Sequence, residues 1–263
     1  GLEINLIVGG RSLVIPRPSG YVGADGINDQ WDQISAAYIP PGNRQLATFT
    51  SESDRKILAS NGQPDADRHF HLQVIRVFET TDFDETQFTK KKDEIKAEIL
   101  EAQNSTVNVL NEQLAGGNAN IAEKTGIDLA IDEGEHRFLG IFDDSDQSLG
   151  FSIDGTVNVN DKTEPIVTSA RMVPVSERIL IFYAVSLKRN AEDQAWTEDA
   201  VTAWSNAAMA ANPTEFEDTP APRIPTLSPN RIAAIAGLLL GLIVWLVIAH
   251  KRRAKKRTQS PKR

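Results

Sequence analysis

The chain has 263 residues, 40% of them hydrophobic and 24% charged. That is room for one domain of about 150 to 250 residues plus an appendage, and the composition excludes both global disorder and a polytopic membrane protein. The formal net charge of −8 is unevenly spread: eight of the 28 Lys and Arg stand in the last 14 residues, so the preceding chain sets 20 cations against 36 Asp and Glu. That balance of −16 would repel phosphate and excludes nucleic-acid binding by the body.

In chain order, Leu2 to Val8 is too short and too interrupted by Glu3 and Asn5 to act as an export signal. Weak strands are predicted at Leu13 to Ile15 and Leu46 to Thr50, and a stronger one at Phe70 to Phe78. A long amphipathic helix follows from Asp84 to Leu114. It places Phe88, Ile95, Ile99, Val107 and Leu110 on one face and Lys90, Lys91, Lys92, Glu94 and Glu98 opposite. Asp82 with Glu85 is read as its start, and Gly116-Gly117 as its stop. Strands are predicted at Phe138 to Phe142, Leu149 to Ile153, Ile166 to Val173 and Ile179 to Leu187, with hairpin turns over 143–148 and 174–178. An Ala-rich helix from Ala191 to Ala211 carries Trp196, Ala200, Trp204 and Ala208 as one stripe. The expected class is α+β, a mainly antiparallel sheet flanked by one long helix and one C-terminal helix, in a domain over 1–211.

Residues 212–231 hold five prolines and no glycine, a composition that favours a stalk in polyproline II of up to about 60 Å. Ile232 to Ala249 is an uncharged apolar run, about 27 Å as a helix, against a bilayer core of roughly 30 Å. It is predicted to be a single transmembrane helix. The cluster Lys251, Arg252, Arg253, Lys255, Lys256 and Arg257 in the tail 250–263 then puts the C-terminus in the cytoplasm and the body outside it. Ala233, Gly237 and Gly241 form a small-residue strip for close contact with another membrane helix, its own copy or a partner subunit. Export of the body would need a signal that these residues lack, and the start at Gly1 is read as mature numbering after its removal. With no cysteine there is no disulfide framework and no thiol chemistry. These features point to a bacterial plasma membrane with the body extracytoplasmic.

Three constellations invite chemistry. In Asp65-Ala-Asp67-Arg-His69-Phe-His71, residues two apart share one face of an extended chain, so His69 and His71 with Asp67 could chelate a transition metal in a small hydrolase. The plainer reading is a solvated strand face. Asp143, Asp144 and Asp146 suit a hairpin turn and lack the Gly and Glu positions of a calcium loop. Ser53 to Lys56 and Lys124 to Gly126 imitate two motifs of penicillin-recognising enzymes, but the middle motif is missing and the spacing is too short. No phosphate loop, nucleophile elbow, zincin helix or dinucleotide fingerprint is present, so no cofactor is implied. A non-catalytic binding or assembly body, with cationic protein partners and a small-molecule ligand left open, is the expected function.

The order of elements from Leu13–Tyr21 through Ile179–Leu187 to the helix with Trp196 and Trp204 resembles the PsbP/Mog1 type of α-β-α sandwich. The resemblance is one of layout and carries no diagnostic residue. It implies a binding or assembly factor more readily than an enzyme, and assigns no site residue.

Overall fold

The computed structural model describes residues 2–37, 39–62, 64–102, 131–159 and 162–213. Nine strands and four helices are described: β1 (Glu3–Val8), β2 (Arg11–Pro16), β3 (Tyr21–Gly23), α1 (Asp29–Ala37), β4 (Asn43–Ser51), α2 (Glu52–Ala59), β5 (Arg68–Ile75), α3 (Glu85–Ala102), β6 (Ile131–Ser145), β7 (Ser148–Val159), β8 (Lys162–Val175), β9 (Arg178–Leu187) and α4 (Glu192–Ala211). Seven strands form one sheet in the order β3-β4-β5-β9-β8-β7-β6, and β1 and β2 form a separate hairpin. Every pairing is antiparallel. The α+β class and the antiparallel sheet expected from the sequence are present.

Strand β9 lies at the centre and is buried on both faces, which is why Ile179 to Val185 reads as a continuous apolar run. Its even residues Leu180, Phe182 and Ala184 meet Phe49, Phe70 and Leu72 of β4 and β5 on the face covered by α4 and the β1–β2 hairpin. Its odd residues Ile179, Ile181 and Tyr183 join Phe88 and Ile95 of α3 on the opposite face. The sandwich is thus helix and hairpin, sheet, helix. A third small cluster, Ala24, Trp31, Leu58 and Ala66, fastens α1 and α2 beside the β3 edge. The hairpin is held to α4 by Trp204 Nε1, which donates to Pro16 O at 2.8 Å, and by Asn212, whose side chain exchanges two hydrogen bonds with the Val14 backbone.

Two local expectations are corrected. Asp84, not Asp82, starts α3: its carboxylate accepts from Gln87 N at 2.7 Å while Gln87 Oε1 accepts from Asp84 N at 3.1 Å, a reciprocal capping box. Asp82 instead binds Arg178 and Arg11. Lys91 and Lys92, assigned to the wet face, are 3% and 4% exposed. Positions 88, 91, 92 and 95 share one side of a helix, so these lysines must run inward along Phe88 and Ile95. Lys91 lies 5.7 Å from the Phe78 ring centre and pairs with Glu94; Lys92 reaches Asp144 at 2.8 Å.

Among the described residues no helix is long and apolar enough to cross a membrane. Most of the stalk, from 214 on, the segment 232–249 with Ala233, Gly237 and Gly241, the basic tail, and the last twelve residues, 103–114, of the long helix expected to run to Leu114 lie outside them.

Candidate functional site: a buried histidine face and an acidic cleft

The histidine strand is not a solvated edge. β5 sits between β4 and β9, and His69 and His71 are 1% and 2% exposed. Period-two alternation puts Phe70 and Leu72 on the apolar face and His69, His71 and Gln73 on the other. There His71 is opposite Thr48 on one side and Tyr183 on the other. The two imidazoles meet edge-on at 5.1 Å between ring centres, so the pair predicted from the His-x-His spacing is indeed brought together. Asp67 precedes the strand, is 43% exposed at its side chain and pairs with Arg189 at 2.6 Å. Asp65 belongs to the turn, its N–H donating to Asp54 at 2.9 Å. No group of three His, Cys, Asp or Glu able to hold a metal occurs among the described residues.

A chain of side-chain amides leads into this face. Asn43 Nδ2 donates to Gln73 Oε1 at 3.0 Å, Gln73 Nε2 to Gln45 Oε1 at 2.9 Å, and Gln45 Nε2 to His71 Nδ1 at 3.0 Å. Gln45 Nε2 also donates to the carbonyl of Ala47 at 2.7 Å, which can only accept, so the amide orientation is decided. Gln45 Nε2 also lies 3.1 Å from the Thr48 hydroxyl, so its two hydrogens serve three neighbours, His71 Nδ1 among them. Burial, then the neighbouring His69, push the His71 pKa well below its ordinary value, consistent with a neutral ring. Its Nε2, the Tyr183 hydroxyl and the Thr168 hydroxyl have no hydrogen-bond partner among the described residues. Burial holds the Tyr183 phenol well above its usual range. A sealed imidazole whose pKa is held low by burial is a poor general base. Gln45, Gln73 and Tyr183 were not singled out by sequence reasoning; the signal was the alternation itself, once β5 is known to be central.

Two of the three hairpin carboxylates are occupied from within. Asp143 is held by Arg171 Nε at 2.6 Å and Asp144 by Lys92 and Lys96. Hydrogen bonds from those two lysines bring Asp144 below its usual pKa despite a small opposing effect of burial. Asp154 is bound by Arg137 and Lys188. Asp193 accepts from Arg68 at 3.0 Å and from the backbone of Arg189 and Asn190 at 2.8 and 3.0 Å. Burial raises the Asp193 pKa, but these donors together outweigh it and hold the carboxyl low.

One cleft of about 300 Å³ opens at the end of the sandwich, where the start of α3, the β6–β7 and β8–β9 turns and the end of α4 converge. Phe83, Phe88, Pro174 and Met209 give it apolar walls, while Asp84, Glu85, Asp146 and Glu177 supply carboxylates; none of its lining residues is Lys or Arg. Phe83 N donates to Glu177 O at 2.9 Å and pins the two sides together. Sequence reading did not find this cleft, because its parts are up to 129 residues apart.

No family model matches the chain, and no curated protein matches it. Among solved structures, the chain is similar to the Ran-binding protein Mog1p of Saccharomyces cerevisiae at 10% identity and a TM-score of 0.32, over 80% of this chain and 93% of that one. A mutant form of the protein Mog1 is similar at 10% identity and a TM-score of 0.31, over 80% of this chain and 94% of that one. No residue role is carried over from either protein.

Proposed function

We propose that this chain is a non-catalytic binding or assembly body, tethered to a bacterial plasma membrane by residues 232–249 and presented on the extracytoplasmic side by the Pro-rich stalk 212–231. The carrying observation is the uncharged apolar run followed at once by Lys251 to Arg257, because a bilayer is the medium in which such a run is stable and the basic cluster stays cytoplasmic. A binding role for the body is supported by the fate of its reactive groups. The histidine pair is sealed within the sandwich, and Asp143, Asp144, Asp154 and Asp193 are each engaged by cations of the same chain.

The absence of native cysteine makes the test direct. With Ser19→Cys in the body and Thr258→Cys in the tail, a membrane-impermeant maleimide applied to cells with permeable outer layers should label position 19 and leave 258 unlabelled until the membrane is lysed. Labelling of 258 in intact membranes with 19 protected would overturn the orientation, and recovery of the protein in the soluble fraction would overturn the tether.

A further inference from the structure

We infer that the cleft between the α3 start and the α4 end is a docking site for a cationic peptide segment of another protein, one that sets Lys or Arg beside an apolar side chain. This deepens the binding reading and rests on it. The apolar walls come from Phe83, Phe88, Pro174 and Met209, around a volume of about 300 Å³. Around it stand Asp84, Glu85, Asp146 and Glu177, and among the described residues that line it none is Lys or Arg; Lys92, bound to Asp144, acts on Asp146 only from outside the lining. Of these, Glu177 is engaged from outside the cleft by Arg11, and Asp84 by the α3 backbone. Glu85 and Asp146 are exposed at the rim and hold the charge that an incoming ammonium or guanidinium meets.

The geometry adds to the charge. α4 ends beside the same opening, and its partial negative charge is answered in part by Asn212, which donates to the carbonyls of Ala208 and Met209. The partial positive charge of the α3 N-terminus is already answered by the Asp84 cap and by Glu85 in the first turn. An apolar side chain entering between Phe88 and Met209 would fix the register of the segment, and flanking cations would meet Glu85 and Asp146. The −16 charge of the chain ahead of the tail steers such a segment toward the body, but only the cleft selects the apolar anchor.

The test uses the full chain in nanodiscs of zwitterionic lipid, with Gln147→Cys at the cleft rim carrying an environment-sensitive fluorophore. The probes are the blocked peptides Lys-Leu-Lys, Lys-Gly-Lys and Glu-Leu-Glu. Lys-Leu-Lys should give a saturable change, Lys-Gly-Lys a weaker one and Glu-Leu-Glu none. The double reversal Glu85→Lys with Asp146→Lys should weaken Lys-Leu-Lys about tenfold or more, whereas Asp29→Lys with Glu52→Lys, the same charge change on another part of the surface, should leave it nearly unchanged. Equal loss in both double variants would reduce the effect to overall charge and overturn the site. No response to Lys-Leu-Lys, or equal responses to Lys-Leu-Lys and Lys-Gly-Lys, would do the same. The maleimide result is independent of these outcomes, so failure of the cleft and failure of the tether are told apart.

Discussion

At the scale of single residues, the polar groups of the central sheet define what the body tolerates. His71 is neutral because burial removes the water that would stabilise its charge, and the ring beside it is another imidazole, not a carboxylate. The linkage has a definite sign. The unfolded chain titrates near 6.5 and the folded ring well below it, so below 6.5 the unfolded state binds more protons and stability falls as pH falls. Each such group contributes at most about 1.4 kcal/mol per pH unit within that window. Urea unfolding on either side of pH 6.5 should therefore show a steep acid loss, and His71→Leu should flatten that slope whatever it does to the absolute stability. A slope unchanged in the variant would place the titration elsewhere. Arg171 is a second critical residue: it is buried and binds Asp143, Ser148, Ser205 and Asn206. Arg171→Met would leave a part-buried carboxylate and several dipoles without their donor, and is expected to cost about 3 to 5 kcal/mol in chemical denaturation.

At the scale of elements, the β1–β2 hairpin shows how a strongly patterned segment can escape notice. Ile4, Leu6 and Val8 alternate with Glu3, Asn5 and Ile7, a half-buried strand pattern that appears merely interrupted when inspected as an export signal. Its turn, Gly9-Gly10, takes positive φ at both positions, as a two-residue hairpin requires. A Cβ on Gly9 would stand 1.9 Å from the carbonyl oxygen of Glu79, so Gly9→Ala should lower the melting temperature, by about 4 to 8 °C for each kcal/mol in a domain near 100 residues and by less in a larger one. Gly10→Ala, with nothing within 4 Å, should cost only the backbone strain. The hairpin in turn depends on α4: Trp204 packs edge-on against Phe49, Phe70 and Phe182 at 5.4, 5.5 and 4.7 Å. Trp204→Ala should cost about 3 to 5 kcal/mol and free the hairpin to exchange amide hydrogens faster than the central strands.

At the scale of the whole molecule, charge is arranged in two layers. Ion pairs such as Lys92 with Asp144 and Arg178 with Asp82 tie neighbouring elements together, while the excess of acid remains on the outside. Self-repulsion of that excess is screened by salt. The melting temperature of the full chain should rise between low and physiological ionic strength; a fall would mean that the ion pairs, not the repulsion, dominate. The same outer charge disfavours direct adhesion of the body to anionic lipid and favours cationic protein surfaces, the class of partner the cleft is shaped to receive.

Much of this was legible along the chain. Local periodicity determined β9 as a buried strand, both hairpin turns, the Trp196–Ala208 stripe of α4 and the antiparallel class, since each is encoded by residues within a few positions of one another. The apolar run and its basic flank belong to the same kind of information, complete within a short stretch. Tertiary structure decided what no local pattern contains. Whether His69 and His71 face water or the interior depends on β5 having a neighbour on both sides, and Lys91 and Lys92 turn inward because Asp144, more than 50 residues later, waits for one of them. The cleft has no sequence signature at all: its two walls meet only because α3, α4 and two hairpins end at the same place, and burial of their apolar faces on one sheet brings them there.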